Sequence, residues 1–125
     1  MNKINIQTIV ENLIDTFLHA GKVSIELRNH GLTKKIKSDN TPVSNGDIEV
    51  NKIITKKIKE LTPRIPIISE ETSENKSINN LNDFWLIDPI DGTYDYINNL
   101  DEFTINAGLI IDKQPAAGLI YAPAK

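Results

Sequence analysis

Apolar residues recur every three or four positions near the start of the chain, as expected for one face of a helix. This spacing predicts an amphipathic helix that begins at Ile6 and continues through Val23 and Leu27. Gly31 is predicted to end this helix in a left-handed conformation. The residues expected to face the core are Ile9, Val10, Leu13, Ile14, Phe17 and Leu18.

A second helix is predicted over residues 46–61, because apolar residues again recur with helical spacing and Pro63 ends the pattern. Ser44 and Asp47 stand three residues apart at its start, which is typical of a capping box. The polar segment before it predicts a short strand or hairpin around Ile36, followed by a loop. The residues expected to point inward from this helix are Ile48, Ile53, Ile54, Ile58 and Leu61.

Two short and uniformly apolar runs, at residues 65–69 and 84–87, predict central strands that are covered on both faces. A short turn or helix is predicted over residues 93–99. The segments FTINAGLII and AAGLIYA then predict a hairpin that turns across residues 112–115. This order of elements, in a chain of one-domain length, predicts a layered α/β (α+β) fold.

The composition is that of an ordinary globular protein, with 125 residues, 39% of them hydrophobic and 25% charged. A net charge of -3 does not indicate the basic surface with which proteins bind duplex nucleic acid. Lys34, Lys35 and Lys37 form a local basic spot that could meet a phosphate, although a solvated edge explains them more simply. The absence of cysteine excludes disulfides, thiolate catalysis and zinc–cysteine sites.

No apolar stretch approaches the eighteen or so residues that a membrane span requires. Glu11 and Asp15 interrupt the first apolar segment, which therefore lacks the core of a secretory signal. We expect a soluble, cytoplasmic chain, with peripheral association with the inner membrane left open.

Acidic residues follow each of the two apolar runs: Glu70 and Glu71 after the first, Asp88 and Asp91 after the second. A tight turn would account for the second pair alone. If the two strands are parallel neighbours, however, all four carboxylates lie at one edge of the sheet. Two carboxylates about 4 Å apart repel by roughly 4 kcal/mol at an effective dielectric near 20, so a counter-charge is needed.

A divalent cation is the simplest counter-charge, and an all-oxygen ligand set favours magnesium, manganese or calcium. An EF-hand calcium loop is excluded, because it needs an oxygen ligand at its third position and glycine at its sixth. Counted from Asp88, the third residue is Ile90 and the glycine, Gly92, is fifth. Magnesium in enzymes is usually coordinated by a substrate phosphate as well as by the protein, so a magnesium site here favours a phosphorylated substrate.

Gly92 and Thr93 open a predicted helical turn whose backbone N–H groups could receive a phosphate. The Thr93 hydroxyl beside a carboxylate could also deprotonate a water for hydrolysis, and Asp47 is a candidate for that carboxylate. Asp47 is explained equally well as the capping acid of the second helix, and both interpretations stay open.

Three segments together resemble the signature regions of the inositol monophosphatase superfamily, the lithium-sensitive, magnesium-dependent phosphatases: DNTPVSNGD, SEE and WLIDPIDGTYDY. DNTPVS, IPIISEE, EFTINAGLI and GLIYAPA are most similar to its 3'(2'),5'-bisphosphate nucleotidase branch, which removes the 3'-phosphate of adenosine 3',5'-bisphosphate. The resemblance is clear over residues 36–124. It implies the N-terminal part of a layered αβαβα sandwich of the sugar-phosphatase type.

The resemblance also implies roles for the acidic cluster, with two or more magnesium ions bound. Glu70, Asp88 and the backbone carbonyl of Ile90 would hold one ion, and Asp88 and Asp91 a second, in a two-metal mechanism. Glu71 would act from the outer shell, and Thr93 with Asp47 would activate the attacking water. The residues implied to contact substrate are Glu70, Ile90, Asp91, Gly92 and Thr93.

The chain departs from the family in three ways. Members are about twice as long, and a Trp-Asp motif in their second half supplies a further metal ligand. The only tryptophan here, Trp85, precedes Leu86, so we expect residues 1–125 to form the N-terminal metal- and phosphate-binding domain with the C-terminal domain absent. Tyr94 stands where the nucleotidase branch commonly has lysine.

Three hypotheses follow from the sequence. The first is a magnesium-dependent phosphomonoesterase acting on a small phosphorylated substrate, adenosine 3',5'-bisphosphate. The second keeps this chemistry with an inositol or sugar phosphate. The third is a truncated, inactive fragment that needs a complementing C-terminal chain, or that self-associates through apolar surface at its terminal hairpin.

Overall fold

The computed structural model describes residues 5–37, 39–69 and 81–125, which form three helices and six strands. The helices are α1 (Ile6–His30), α2 (Asn45–Leu61) and α3 (Thr93–Ile97). The strands are β1 (Lys34–Ile36), β2 (Pro42–Ser44), β3 (Ile67–Ser69), β4 (Phe84–Asp91), β5 (Thr104–Ile111) and β6 (Gln114–Tyr121).

A four-stranded sheet with the order β3-β4-β5-β6 forms the centre of the molecule. β3 runs parallel to β4, whereas the β4–β5 and β5–β6 pairs are antiparallel. α1 packs on α2, and residues from both helices share one core with β4 and β5. The mixed α/β architecture predicted from the sequence is confirmed. The fully buried side chains include Leu13, Ile54, Ile58, Trp85, Tyr96, Phe103, Ile105 and Leu109.

α1 begins where the Asn5 side chain accepts a hydrogen bond from the Thr8 backbone N–H, 3.1 Å away. Its buried face is narrower than the predicted stripe, because Ile14 and Leu18 are 48% and 51% exposed. The prediction of a left-handed cap at Gly31 is wrong. Gly31 has a φ of -171°, and the helix closes instead through its N–H, which donates to the carbonyl of Leu27.

The capping box predicted at the start of α2 is confirmed, because Ser44 and Asp47 bond to each other's backbone N–H groups. The prediction that Ile48 points inward is wrong, since this side chain is 43% exposed. The buried positions Val50, Ile54 and Ile58 recur every four residues, and Ile48 lies on the opposite side of the helix.

The short antiparallel pair of β1 and β2 confirms the hairpin predicted around Ile36. β3 pairs in parallel with β4, which is the condition on which the convergence of the acidic residues depended. The prediction that both runs are central strands is confirmed for β4 and wrong for β3, and the prediction that both faces of the strands are covered is wrong. β3 lies at the edge of the sheet as described, and Leu86 of β4 is 41% exposed on the face opposite the two long helices.

The terminal hairpin of β5 and β6 is confirmed, with Asp112 and Lys113 at the turn in left-handed conformations (φ of 51° and 62°). Ile120 on β6 is 80% exposed, in agreement with the apolar surface expected there. In the described part of the chain, no helix combines the length and the apolar character needed to cross a membrane.

Candidate functional site

An irregularity in β4 brings two predicted metal ligands to one face of the sheet. Asp88 is in register with Asn106 of β5, and Asp91 is in register with Thr104. β4 therefore advances three residues while β5 advances two, which is a β-bulge. Side chains alternate between faces along a regular strand, so residues three apart would otherwise point to opposite sides.

This bulge also corrects the prediction that the strand ends before Asp88. β4 continues through Asp91, because its pairing with β5 resumes after the extra residue. Asp88 and Asp91 line one open concavity of about 760 Å³ on the face of the sheet away from α1 and α2. Its remaining surface is mostly apolar and includes Leu86, Gly108 and Ile120.

Gly92 makes the change of direction from β4 into α3. Its φ of 91° is left-handed, and a Cβ at this position would lie 3.2 Å from the carbonyl oxygen of Glu102. Both features favour glycine. The carbonyl of Gly92 accepts the N–H of Tyr96, which starts the short helix directly after the two carboxylates.

The Thr93 hydroxyl meets Asp47, which lies 46 residues earlier in the chain. It donates to Asp47 Oδ1 at 2.8 Å and lies 3.2 Å from the carbonyl oxygen of Ile90. Asp47 Oδ2 accepts from the backbone N–H and the hydroxyl of Ser44, at 2.9 and 2.5 Å. The capping interpretation of Asp47 therefore holds without excluding the relay, because each carboxylate oxygen has its own partners.

Tyr96, in the same short helix as Thr93, is fully buried and anchored in the core. Its hydroxyl donates to the carbonyl oxygen of Ser24 at 2.6 Å, and its ring packs edge-on against Phe103. Burial, reinforced by the negative charge of Asp47 and opposed by Arg28, raises the pKa of Tyr96 to about 12. Tyr96 is therefore a neutral packing and hydrogen-bonding residue at physiological pH.

Two predicted site residues, Glu70 and Glu71, lie outside the described residues, so their proximity to Asp88 stays a prediction. The last described residue before them, Ser69, is in register with Ile87 on β4. The Ser69 hydroxyl donates to Asn51 of α2 at 2.5 Å, which joins the end of β3 to the helical layer.

The residues around the bulge offer oxygen atoms, which are the ligands that hard divalent cations such as Mg²⁺ and Ca²⁺ prefer. Asp88 and Asp91 provide carboxylates, and the backbone of Ile90 provides a carbonyl. In the parts of the chain that the structure describes, no group of three or more His, Cys, Asp or Glu side chains is positioned to hold a metal ion. Asp88 and Asp91 are the two acidic residues among the described residues that line the concavity.

Asn106 was missed by the sequence interpretation. Its side chain lines the same concavity as the two aspartates, and its Oδ1 atom is buried. The available signal was the alternation in FTINAGLII, which sets Asn106 on the face opposite Ile105 and Ala107. Its register with Asp88 is visible only in the folded sheet.

Comparison with known proteins agrees with the sequence resemblance. The sequence model of the inositol monophosphatase family matches residues 5–125. A 3'(2'),5'-bisphosphate nucleotidase CysQ of Buchnera aphidicola is 39% identical over 134 residues, covering 98% of this chain and 51% of that protein. The chain spans about half the length of the curated relatives that it matches.

Solved structures show the same fold. A crystal structure of an IMPase/NADP phosphatase complexed with NADP and Ca²⁺ superimposes with a TM-score of 0.86 at 21% identity, over 99% of this chain and 47% of that chain. An IMPase/NADP phosphatase complexed with Mg²⁺ and phosphate gives a TM-score of 0.78 at 22% identity, over 92% and 44%.

Proposed function

Because this chain belongs to the inositol monophosphatase family, we propose that it carries the metal- and phosphate-binding half of a cation-dependent phosphomonoesterase. The observation that supports this most strongly is the bulge in β4, which sets Asp88 and Asp91 on one face of the sheet. The hydrogen bond between Thr93 and Asp47 follows directly after it. The proposal thus combines a partial cation site with an adjacent hydroxyl–carboxylate pair.

The proposed cation is magnesium, in two or more copies. Glu70, Asp88 and the backbone carbonyl of Ile90 would hold one ion, and Asp88 and Asp91 would hold the second. Glu71 would act from the outer shell of the metal site. When bound, magnesium would stabilise the negative charge on the attacking and leaving oxygens of the phosphate. The Ca²⁺ and Mg²⁺ complexes of the two fold relatives support this choice.

Thr93 and Asp47 are proposed to activate the attacking water. The Thr93 hydroxyl donates its own hydrogen to Asp47, so its lone pairs can accept a hydrogen from water. Asp47 is almost fully buried, and its Oδ2 accepts the backbone N–H of Ser44. The Asp47 carboxylate is therefore held in one orientation toward Thr93. The backbone N–H groups of Gly92 and Thr93 are the proposed contacts of the substrate phosphate.

A nucleotide bisphosphate, adenosine 3',5'-bisphosphate, is the first candidate substrate, because the curated relatives are bisphosphate nucleotidases. An inositol or sugar phosphate is the second. The exposed Tyr94 weakens the first candidate, because by resemblance it stands where the nucleotidase branch commonly has lysine.

The activity of the whole protein would require the other half of the fold, since this chain matches about half of its relatives. A complementing C-terminal chain would supply it in this proposal, and self-association of the chain is the alternative. A cytoplasmic location, with inner-membrane association as the alternative, stays part of the same proposal.

Phosphate release is the direct test of function. The chain would be assayed with adenosine 3',5'-bisphosphate and with inositol 1-phosphate, each with and without magnesium. Turnover that requires magnesium and prefers the first substrate is expected. Preference for the second substrate would support the alternative, and folded protein that turns over neither would support the inactive-fragment hypothesis.

The Asp91→Asn variant tests the cation site even if the isolated chain has no turnover. It removes one ligand charge with little change of shape, so magnesium affinity measured by calorimetry should fall while the melting temperature of metal-free protein changes little. Asp95→Asn is the matched control, because it removes the same charge from the nearby α3. Equal magnesium affinity in the two variants would remove Asp91 from the site.

A further inference from the structure

We propose that Asn106 is a positioning residue for the cation: its side-chain oxygen accepts a hydrogen bond from a water molecule bound to the ion that Asp88 holds. This inference rests on the proposed function, because it requires a hydrated cation at the carboxylates of β4. It adds a residue from a different strand to that site.

The starting observation is a buried oxygen atom without a donor. Asn106 Oδ1 has no hydrogen-bond partner within the described chain, although almost none of its surface reaches solvent. Leaving a buried acceptor unsatisfied lowers the stability of the folded protein, and such groups call for an explanation. A ligand or an ordered water that donates to this oxygen would remove that cost.

The surroundings show where such a donor would come from. Asn106 is directly opposite Asp88 on β4, and residues in such pairs have Cβ atoms about 4.5–5.5 Å apart. On its other side, Asn106 is in register with Ile120 of β6, whose side chain cannot donate. Asp88, when ionised, only accepts hydrogen bonds. The two residues are paired across neighbouring strands and line the same concavity, so a group that donates hydrogen bonds to both side chains would sit at this point of the sheet.

A hydrated magnesium ion meets this requirement. Magnesium retains several of its waters when proteins bind it, and each of those waters donates hydrogen bonds. The carboxylate of Asp88 would contact the ion, and Asn106 Oδ1 would accept from a water on the same ion. Asn106 would therefore act through that water and fix its orientation. Changing such outer partners commonly costs 10–100-fold in metal affinity.

Asn106→Leu is the principal test, because leucine keeps a similar volume and removes the acceptor. We expect magnesium affinity, measured by calorimetric titration with the metal alone, to fall about 10-fold or more. In metal-free protein the same change should leave the melting temperature unchanged or raise it, since a buried unsatisfied oxygen is lost. A residue with a purely structural role would instead lower the metal-free melting temperature and leave affinity unchanged.

Asn106→Asp provides a second measurement that does not depend on the leucine variant folding. It keeps an acceptor oxygen and adds a negative charge, so magnesium affinity should be retained or increased. Asn82→Leu, at an exposed position before β4, is the matched control and should bind magnesium as the unchanged chain does.

The outcomes separate this inference from the proposed function. Loss of magnesium binding in Asp91→Asn together with unchanged binding in Asn106→Leu would overturn the role of Asn106 and leave the cation site standing. If the unchanged chain takes up no magnesium, both are overturned. Weaker binding in Asp91→Asn and in Asn106→Leu, with retention in Asn106→Asp, would support both.

Discussion

The hydroxyl of Thr93 and the carboxylate of Asp47 are joined by a hydrogen bond of 2.8 Å across 46 residues of sequence. This bond links the start of α2 to the turn that follows the carboxylates of β4. Asp47 also completes the capping box of α2 through its other oxygen. One buried side chain therefore serves the stability of a helix and the geometry of the candidate site.

The two roles of Asp47 can be separated by substitution. Thr93→Val removes the hydroxyl and keeps the side-chain shape, so we expect phosphate release to fall about 10²-fold or more. Because Asp47 Oδ1 loses its donor, folding free energy should also fall by about 1–3 kcal/mol. Ser44→Ala removes the side-chain cap but keeps the backbone N–H that donates to Asp47 Oδ2, so it should cost about 1 kcal/mol of folding free energy and lower turnover far less than Thr93→Val does. Turnover would be measured for the chain with and without a separately produced C-terminal half of the Buchnera aphidicola relative. Equal turnover in the two variants would contradict the relay.

Gly46 should not tolerate alanine, although alanine usually stabilises a helix. A Cβ at Gly46 would overlap the Tyr96 ring, coming within 2.6 Å of its Cε2 atom, and this ring is fully buried. Overpacking of this kind costs about 1–3 kcal/mol, which exceeds the roughly 1 kcal/mol gained in helix propensity. Thermal or urea unfolding would measure the loss. Gly31→Ala is the control, since no atom lies within 4 Å of its Cβ position, and a similar loss there would refute the explanation.

Tyr96 predicts a stability change at alkaline pH. Its pKa is raised from 10.0 in the unfolded chain to about 12 in the folded one, chiefly by burial. The stabilisation from the neutral hydroxyl is therefore complete below about pH 10 and is lost as pH rises through about 12, because the unfolded state releases the proton first. Tyr96→Phe lacks this titration and also lacks the bond to Ser24.

The comparison is made by urea unfolding of both proteins at a series of pH values. The unchanged chain should be more stable below pH 10, and the difference from Tyr96→Phe should shrink as the pH rises above it. A difference that stays constant through this range would show that the hydroxyl titrates equally in the folded and unfolded chains.

The open face of the sheet predicts self-association. Ile120 is 80% exposed there, beside the apolar lining of the concavity. Light scattering should therefore give a mass above that of one chain, and Ile120→Lys should lower it. Ile36→Lys is the matched control, because Ile36 is 69% exposed on the separate strand β1. A monomeric unchanged chain at high concentration would disprove this prediction.

Local sequence predicted those elements whose signals are short-range. The capping box at Ser44 and Asp47 and the hairpin turn at Asp112 and Lys113 both agree with the structure. Capping and turn geometry depend on residues a few positions apart, so they can be read without knowledge of the fold. The Gly31 cap was wrong because several backbone conformations can end a helix after the same residues.

Which apolar side chains are covered could not be predicted from local sequence. Ile48 and Leu86 are apolar and were predicted to be buried, yet both are substantially exposed. An apolar side chain shows that burial is favourable but does not specify which surface covers it. In the described chain, α1 and α2 cover one face of the sheet, and the other remains open.

The sequence by itself determined that acidic residues follow the apolar strands, that glycine makes the turn after Asp91, and that oxygen ligands are available. Only the tertiary structure decided that a bulge turns Asp88 and Asp91 to the same face, that Thr93 reaches Asp47, and that Asn106 lies opposite Asp88. The physical reason is that strand register and cross-chain contacts depend on how distant segments pack, whereas ligand chemistry and backbone preference belong to each residue where it stands.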